Sequence, residues 1–266
     1  MEKKITLKAM RSDSRYVNAI VLKGNNKLRD YDDTEKGISY RYAQFSTRAL
    51  LDCPYKSIGC AIVCYATKGQ HNAPSVKDNR ERAKKATLKE SFADDMIYTL
   101  ETEFKSLRYM GNHMILRLHE SGDFYSLEYL KKWIKVIEYF MSRNDFTICF
   151  YTKSFTFFNA LEECEKEILR KAMERNIVAM SASLDDTTNA NQLKEYFLLK
   201  KNFPLCNTYA CTEDINTIQH DNVCDCADCA KCGHCTKSQG KTNVVKIHSA
   251  SEKEMNNYRK HSKKTA

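Results

Sequence analysis

Residues 113–127 read H-M-I-L-R-L-H-E-S-G-D-F-Y-S-L. An apolar run of strand length ends in Arg, His, Glu and Asp, crosses one glycine, and opens at Leu127 into a helical pattern. Leu130, Ile134, Ile137 and Met141 share one stripe, which predicts an amphipathic helix over 127–141. The unit then repeats. F-T-I-C-F-Y (146–151) predicts a strand and 158–175 a helix; N-I-V-A-M-S-A (176–182) predicts a strand and 189–201 a helix. Leu205–Ala210 and Val244–His248 predict two more strands. Strands alternating with helices imply right-handed crossovers and a parallel sheet. The expected fold is therefore α/β: a barrel-like parallel sheet of partial or distorted TIM type, with a cysteine-rich C-terminal segment.

Upstream of residue 113, Ile5–Lys8, Val17–Leu22 and Ile38–Phe45 predict short strands. Over 75–108 a single helix is expected. Ser75 is placed to cap it, and Ala83, Leu88, Phe92, Met96, Ile97, Leu100 and Phe104 keep helical spacing.

Ligands of parallel α/β sheets bind at the C-terminal ends of the strands. Those ends carry Arg117, His119, Glu120 and Asp123, then Tyr151 and Lys153, then Ser183 and Asp185, and finally His248. Any one of them reads equally well as a helix cap or loop residue. Together they are harder to dismiss, because a charge buried beside a strand needs a partner. His119 and Glu120 are candidates for handling protons, Arg117 and Lys153 for holding an anionic group, with Asp123 beside them.

Cysteines form two sets. The first is D-C-P-Y-K-S-I-G-C-A-I-V-C (52–64), in which Cys53, Cys60 and Cys64 are spaced x6 and x3. Three thiolates there could wrap a [4Fe–4S] cluster and leave one position open, or bind zinc with a remote fourth ligand, or act as small core residues. The second is C-D-C-A-D-C-A-K-C-G-H-C (224–235). Its unbroken x2 series is poor geometry for one tetrahedral ion using every sulfur. It matches the ferredoxin run, where three cysteines hold one cluster and the fourth ligand is distant. Cys229, Cys232 and Cys235 are the expected trio, completed by Cys211, or by Cys206, Cys224 or Cys226. Cys149 and Cys164 fall in strand and helix patterns and are expected in the core.

The chain has 266 residues, twelve of them cysteine, and a formal net charge of +9. It is long enough to bury roughly 70–75% of its unfolded surface, so it needs no staples merely to fold. The start, M-E-K-K-I-T-L-K-A-M, lacks an apolar signal core, and no apolar run approaches the ~20 residues of a membrane span. A cytoplasmic protein without membrane contact is expected, with thiols or metal ligands rather than disulfides. Basic residues cluster at 80–89 and 253–264. They read as solvated helix faces and a frayed tail, or as a surface for nucleic acid. One α/β domain is expected over 1–250, with 203–240 as a cysteine-rich insertion and 251–266 as a basic tail.

Several motifs resemble the bacteriophage gene product 88 family. They are C-P-x5-C-x3-C-Y-A (53–66), R-x-H-x-S-G-D-F-Y-S (117–126), Y-x3-W (129–133), F-Y-T-K-S (150–154), and C-x2-C-G-x-C (229–235) followed by V-V-x-I-H. The resemblance spans residues 40–250 and implies the host cytoplasm. The layout of an α/β barrel with a three-cysteine cluster site near its start also resembles radical S-adenosylmethionine enzymes. That resemblance implies S-adenosylmethionine as a second cofactor, although the spacing here is C-x6-C-x3-C where that superfamily has C-x3-C-x2-C. The expected function is iron–sulfur binding, with redox or radical chemistry at the first set and a small-molecule substrate or electron donor as partner. The rival is a zinc-stapled, non-enzymatic protein that binds nucleic acid or a host factor.

Overall fold

The computed structural model describes residues 21–23, 30–107, 112–224, 234–247 and 250–262. Its strands are β1 (Leu22–Lys23), β2 (Tyr31–Asp33), β3 (Ile38–Phe45), β4 (Asn112–Leu118), β5 (Phe146–Thr152), β6 (Val178–Asp185), β7 (Asn207–Thr212), β8 (Asn222–Val223) and β9 (Thr242–Lys246). They form one sheet in the order β1-β3-β4-β5-β6-β7-β9-β8, with β2 also on β3. From β3 to β8 every pairing is parallel; β1 and β2 run antiparallel to β3.

The helices are α1 (Ile58–Ile62), α2 (Pro74–Thr87), α3 (Phe92–Leu107), α4 (Leu127–Phe140), α5 (Phe155–Asn159), α6 (Glu163–Glu174), α7 (Ala190–Asn202) and α8 (Glu252–Ser262). Strands β3 to β7 are added in chain order at one edge. Right-handed crossovers must then leave the connecting helices on the same face. The core obeys this rule. Phe45, Met114, Leu116, Phe146, Ile148, Val178 and Met180 meet Phe92, Met96, Leu130, Trp133, Phe158 and Leu169 in one cluster. Alternate residues of the same strands, Tyr42, Ile115, Cys149 and Ala179, form a small separate cluster on the other face. Successive side chains of a strand point to opposite faces, so this division is the period-2 pattern read out in space.

The architecture is thus a singly wound, mostly parallel α/β sheet. It is open among the described residues: β1 and β8 are its two edges, so the expected barrel closure is not found. Three other boundaries differ from the sequence reading. The helix expected over 75–108 is two helices, and so is the one over 158–175. Residues 252–262 are no frayed tail, because α8 packs on α1 and buries Tyr258 completely; 263–266 lie outside the described residues. Ile5–Lys8, most of Val17–Leu22 and His248 lie outside the described residues. Among the described residues no helix is long and apolar enough to cross a membrane.

Candidate functional site

The 53–64 segment lies over the C-terminal ends of the strands and is tied down from both sides. On one side is the S-G-D corner after β4. Thr47 N–H donates to Ser121 O (3.0 Å), and Ser121 Oγ donates to Thr47 O (2.7 Å). Gly122 has φ +81°, and a Cβ there would meet Thr47 Oγ1 at 2.0 Å, so only glycine fits. Asp123 N–H then donates to Asp52 O (3.0 Å), next to Cys53. The Asp123 carboxylate accepts from Thr152 Oγ1 (2.8 Å) and Lys153 N–H (2.8 Å), which joins this corner to the end of β5. Burial pushes the Asp123 carboxyl up to about 6, against the hydrogen bonds it accepts.

On the other side is the end of β6. Ser57 caps α1 by accepting from Cys60 N–H (3.1 Å), and its hydroxyl donates to Asp185. Asp185 also pairs with Lys153 (2.8 Å) and accepts from Thr187 N–H (2.9 Å) and Thr187 Oγ1 (2.6 Å). Gly59 N–H donates to Thr187 Oγ1 (2.8 Å). The Lys153–Asp185 pair is buried at both ends and tethers Cys60 through Ser57. Lys153 holds the Asp185 carboxyl below its ordinary value even though burial pushes it up.

Cys53, Cys60 and Cys64 are partly buried free thiols on this segment. Burial pushes the Cys60 thiol up to about 11, while nearby Lys153 pulls it down. Cys211 sits opposite Asp185 in the β6–β7 register. It shares the Lys153–Asp185 surroundings of Cys60, and burial pushes it up to about 12. Cys211 and Cys60 thus share one neighbourhood at the strand ends; Cys229 and Cys232, expected to join Cys211, lie outside the described residues. One tetrahedral zinc ion would hold its thiolates about 3.8 Å apart. Among the described residues no three His, Cys, Asp or Glu side chains stand close enough together to ligate a single ion.

Of the second set, Cys224 and Cys235 are described; Cys226, Cys229 and Cys232 lie outside the described residues. Cys235 follows a different route to the sheet. The turn at 234–236 packs on β5 and β6, with Ser238 Oγ donating to Val178 O (3.0 Å) at the start of β6. Cys235 reaches Tyr151 on the helix-free face. Cys206 is wholly buried in the main core, and Cys224 is buried beside β9. Cys149 is a core residue as expected, but Cys164 is exposed on α6 because the buried stripe there runs through Leu169, Ala172 and Met173.

The strand-end residues divide between the two faces. Arg117 and Lys153 lie on the helix-free side. Arg117 stacks its guanidinium 3.7 Å from the Tyr151 ring centroid. His119 does not join them. Its φ of +57° turns the chain out of the strand, and its ring packs on Phe124 and Tyr129 in the helix layer. Nε2 is 2.9 Å from Tyr129 Oη, while Nδ1 is buried without a partner. His119 is a core residue of the helix-covered face. Glu120 is half-buried and offers its carbonyl to the Tyr65 hydroxyl. Asp123 serves as the clamp described above. Ser57, Gly59, Thr187 and Tyr258 were absent from the expected site. The S-x-x-C cap at 57–60 is the one local signal that could have revealed any of them.

The buried imidazole makes stability depend on pH. Burial, with Arg117 behind it, pushes His119 down to about 3. The unfolded chain therefore takes up this proton first. The contribution is complete above pH ~6.5 and is lost as pH falls toward 3; the loss at pH 5 is about 2 kcal/mol. Denaturant unfolding of wild type and His119→Gln between pH 7 and 5 isolates it from Asp123, whose raised pKa acts with opposite sign. A smaller loss in the variant is expected; parallel curves would exclude the buried neutral imidazole.

No curated protein and no solved structure matches this chain. The family model described as gene product 88 matches residues 19–238. That span contains the first cysteine set, the S-G-D corner, the Lys153–Asp185 pair and Cys235, and the chain belongs to the gene product 88 family of phage proteins.

Proposed function

We propose that the protein binds an iron–sulfur cluster at the mouth of its parallel sheet and uses it for redox or radical chemistry on a small molecule. The observation that carries this reading is the 53–64 segment. Its three cysteines are tethered over the strand ends through Asp52, Ser57 and Gly59, with a fourth thiol, Cys211, on the strand beside Asp185. Cysteine thiolates are the ligands such clusters take. A cluster also asks less of the free thiols than one zinc ion does, since each sulfur binds a different iron and the set need not converge on a point. Bound there, a cluster would supply electrons one at a time.

The chain's own residues would do the rest. Asp123 and Asp185 fix the two ends of the cysteine segment. Lys153 neutralises Asp185 beside Cys60, which limits charge repulsion at the site. Cys229, Cys232 and Cys235 are proposed for a second, auxiliary cluster. S-adenosylmethionine is the proposed second cofactor if the chemistry is radical.

Anaerobic purification followed by iron, sulfide and zinc analysis tests the reading. Brown protein with comparable iron and sulfide is expected. Colourless protein with stoichiometric zinc and no sulfide would replace it with the zinc-stapled, non-enzymatic reading. Release of 5′-deoxyadenosine from S-adenosylmethionine by the reduced protein would support radical chemistry. The absence of both cleavage and binding would leave electron transfer or a structural role for the clusters.

A further inference from the structure

The helix-free face of the sheet holds a charge that the cysteine site does not use. Arg117 is 8% exposed, and arginine stays protonated at any pH a protein survives. Its neighbours are Tyr151, Tyr65 and the thiols Cys149 and Cys235. Among the described residues no carboxylate pairs with the guanidinium. Lys153, the other strand-end cation among the described residues of this face, is already matched by Asp185. A buried unpaired cation is unfavourable unless something else supplies the anion.

A second observation points to the same place. Ser181 lies opposite Tyr151 in the β5–β6 register, and its hydroxyl is fully buried without a hydrogen-bond partner. Tyr151 stacks on Tyr209 (4.3 Å between centroids), and Tyr209 lies opposite Asn243, whose Nδ2 is likewise buried and unpartnered. Guanidinium, paired aromatic rings and amide thus form a line across β4, β5, β7 and β9. Buried polar groups ordinarily have partners, and two orphans on one face beside an unpaired arginine are a concentration of unmet demand.

We propose that Arg117 is the seat for the anionic group of a small-molecule ligand, a carboxylate or a phosphate, that binds on the helix-free face of the sheet. Planar guanidinium suits both anions through bidentate hydrogen bonds. The seat needs no metal and uses none of the first cysteine set; Cys235, proposed above for the auxiliary cluster, borders it, so the titration is repeated on Cys235→Ser, which should still bind the anion.

Calorimetric titration of the full chain with sodium benzoate, inorganic phosphate and uncharged benzamide tests it in low-salt buffer. Wild type is expected to bind benzoate or phosphate and not benzamide. Which anion binds identifies the headgroup. Arg117→Met is expected to weaken that binding at least tenfold, and Arg117→Lys to weaken it less. In anion-poor buffer Arg117→Met should melt at or above wild type, by up to a few degrees, because it removes a lone buried charge. Arg117→Gln repeats the comparison with a polar side chain. The proposal is overturned if neither anion binds wild type or if binding survives Arg117→Met. It is also overturned if both variants melt well below wild type without anion, since the guanidinium would then have a partner within the protein.

Discussion

Cys60→Ser is expected to empty the first cysteine site. Partners that merely orient a metal ligand contribute ~10–100-fold to affinity, and loss of the ligand itself should exceed that. Cys60 is the best tethered of the three: its N–H is held by Ser57 Oγ, which in turn donates to Asp185. Substitution therefore removes the sulfur without disturbing the cap that shapes α1. Cys211→Ser decides how the thiols are grouped. If Cys211 completes the first set, as its place opposite Asp185 implies, its iron loss should match that of Cys60→Ser and add little to it in the double variant. Cys235→Ser should spare this centre, because Cys235 meets Tyr151 and Arg117 instead. Iron and sulfide content of each anaerobic variant, with thermal melting as a fold control, gives the comparison. If Cys211→Ser empties the same centre as Cys235→Ser, the grouping is wrong.

The strand–helix alternation was strong enough to identify a parallel sheet, and Ile38–Phe45 matches β3 to the residue. Errors arose where tertiary contacts decide. Nothing in T-L-K-E-S (87–91) breaks a helix, yet α2 ends there. Lys132 from α4 donates to the carbonyls of Thr87 (2.8 Å) and Lys89 (2.8 Å), satisfying groups that a continuing helix would have used. The break before α6 was local: Glu162 and Glu165 form a capping box, with glutamate standing where the Ser or Thr of the usual signature would have flagged it. His119 failed for a different reason. Arg117 and His119 were expected together because both stand at the C-terminal end of one strand. A left-handed backbone at His119 sends its ring to the helix layer, and no histidine advertises that conformation. Gene product 88 motif residues Ser121, Gly122 and Asp123 proved to be the corner that holds Asp52 and hence Cys53, which spacing alone could not distinguish from a substrate contact.

Gly59→Ala is expected to destabilise the protein by about 2–3 kcal/mol, a large effect for one methyl group. Alanine is normally the better helix residue, so propensity alone would predict a gain. Packing reverses the sign. A Cβ at Gly59 would sit 2.4 Å from Tyr258 Cε2 and 2.7 Å from Thr187 Oγ1. Neither neighbour can yield cheaply. Thr187 is held by Asp185, and the Tyr258 hydroxyl accepts from Asp186 N–H (3.1 Å) and donates to Asp186 Oδ2 (3.3 Å). Tyr258→Ala should itself lose roughly 3–4 kcal/mol through the cavity it leaves. The double variant should then be less destabilised than the sum, because the cavity admits the new methyl group. Additive losses in chemical denaturation would mean that α8 does not pack on α1 in this way. The same contact links the end of the chain to the proposed chemistry. Lys68–Glu254 (2.8 Å) and the Arg259–Glu213 ion pair fasten α8 across the cysteine segment and the end of β7. Exposed ion pairs of this kind contribute little, so Tyr258 must supply most of the hold. Tyr258→Ala should therefore loosen α1 and lower iron content even though its side chain carries no ligand.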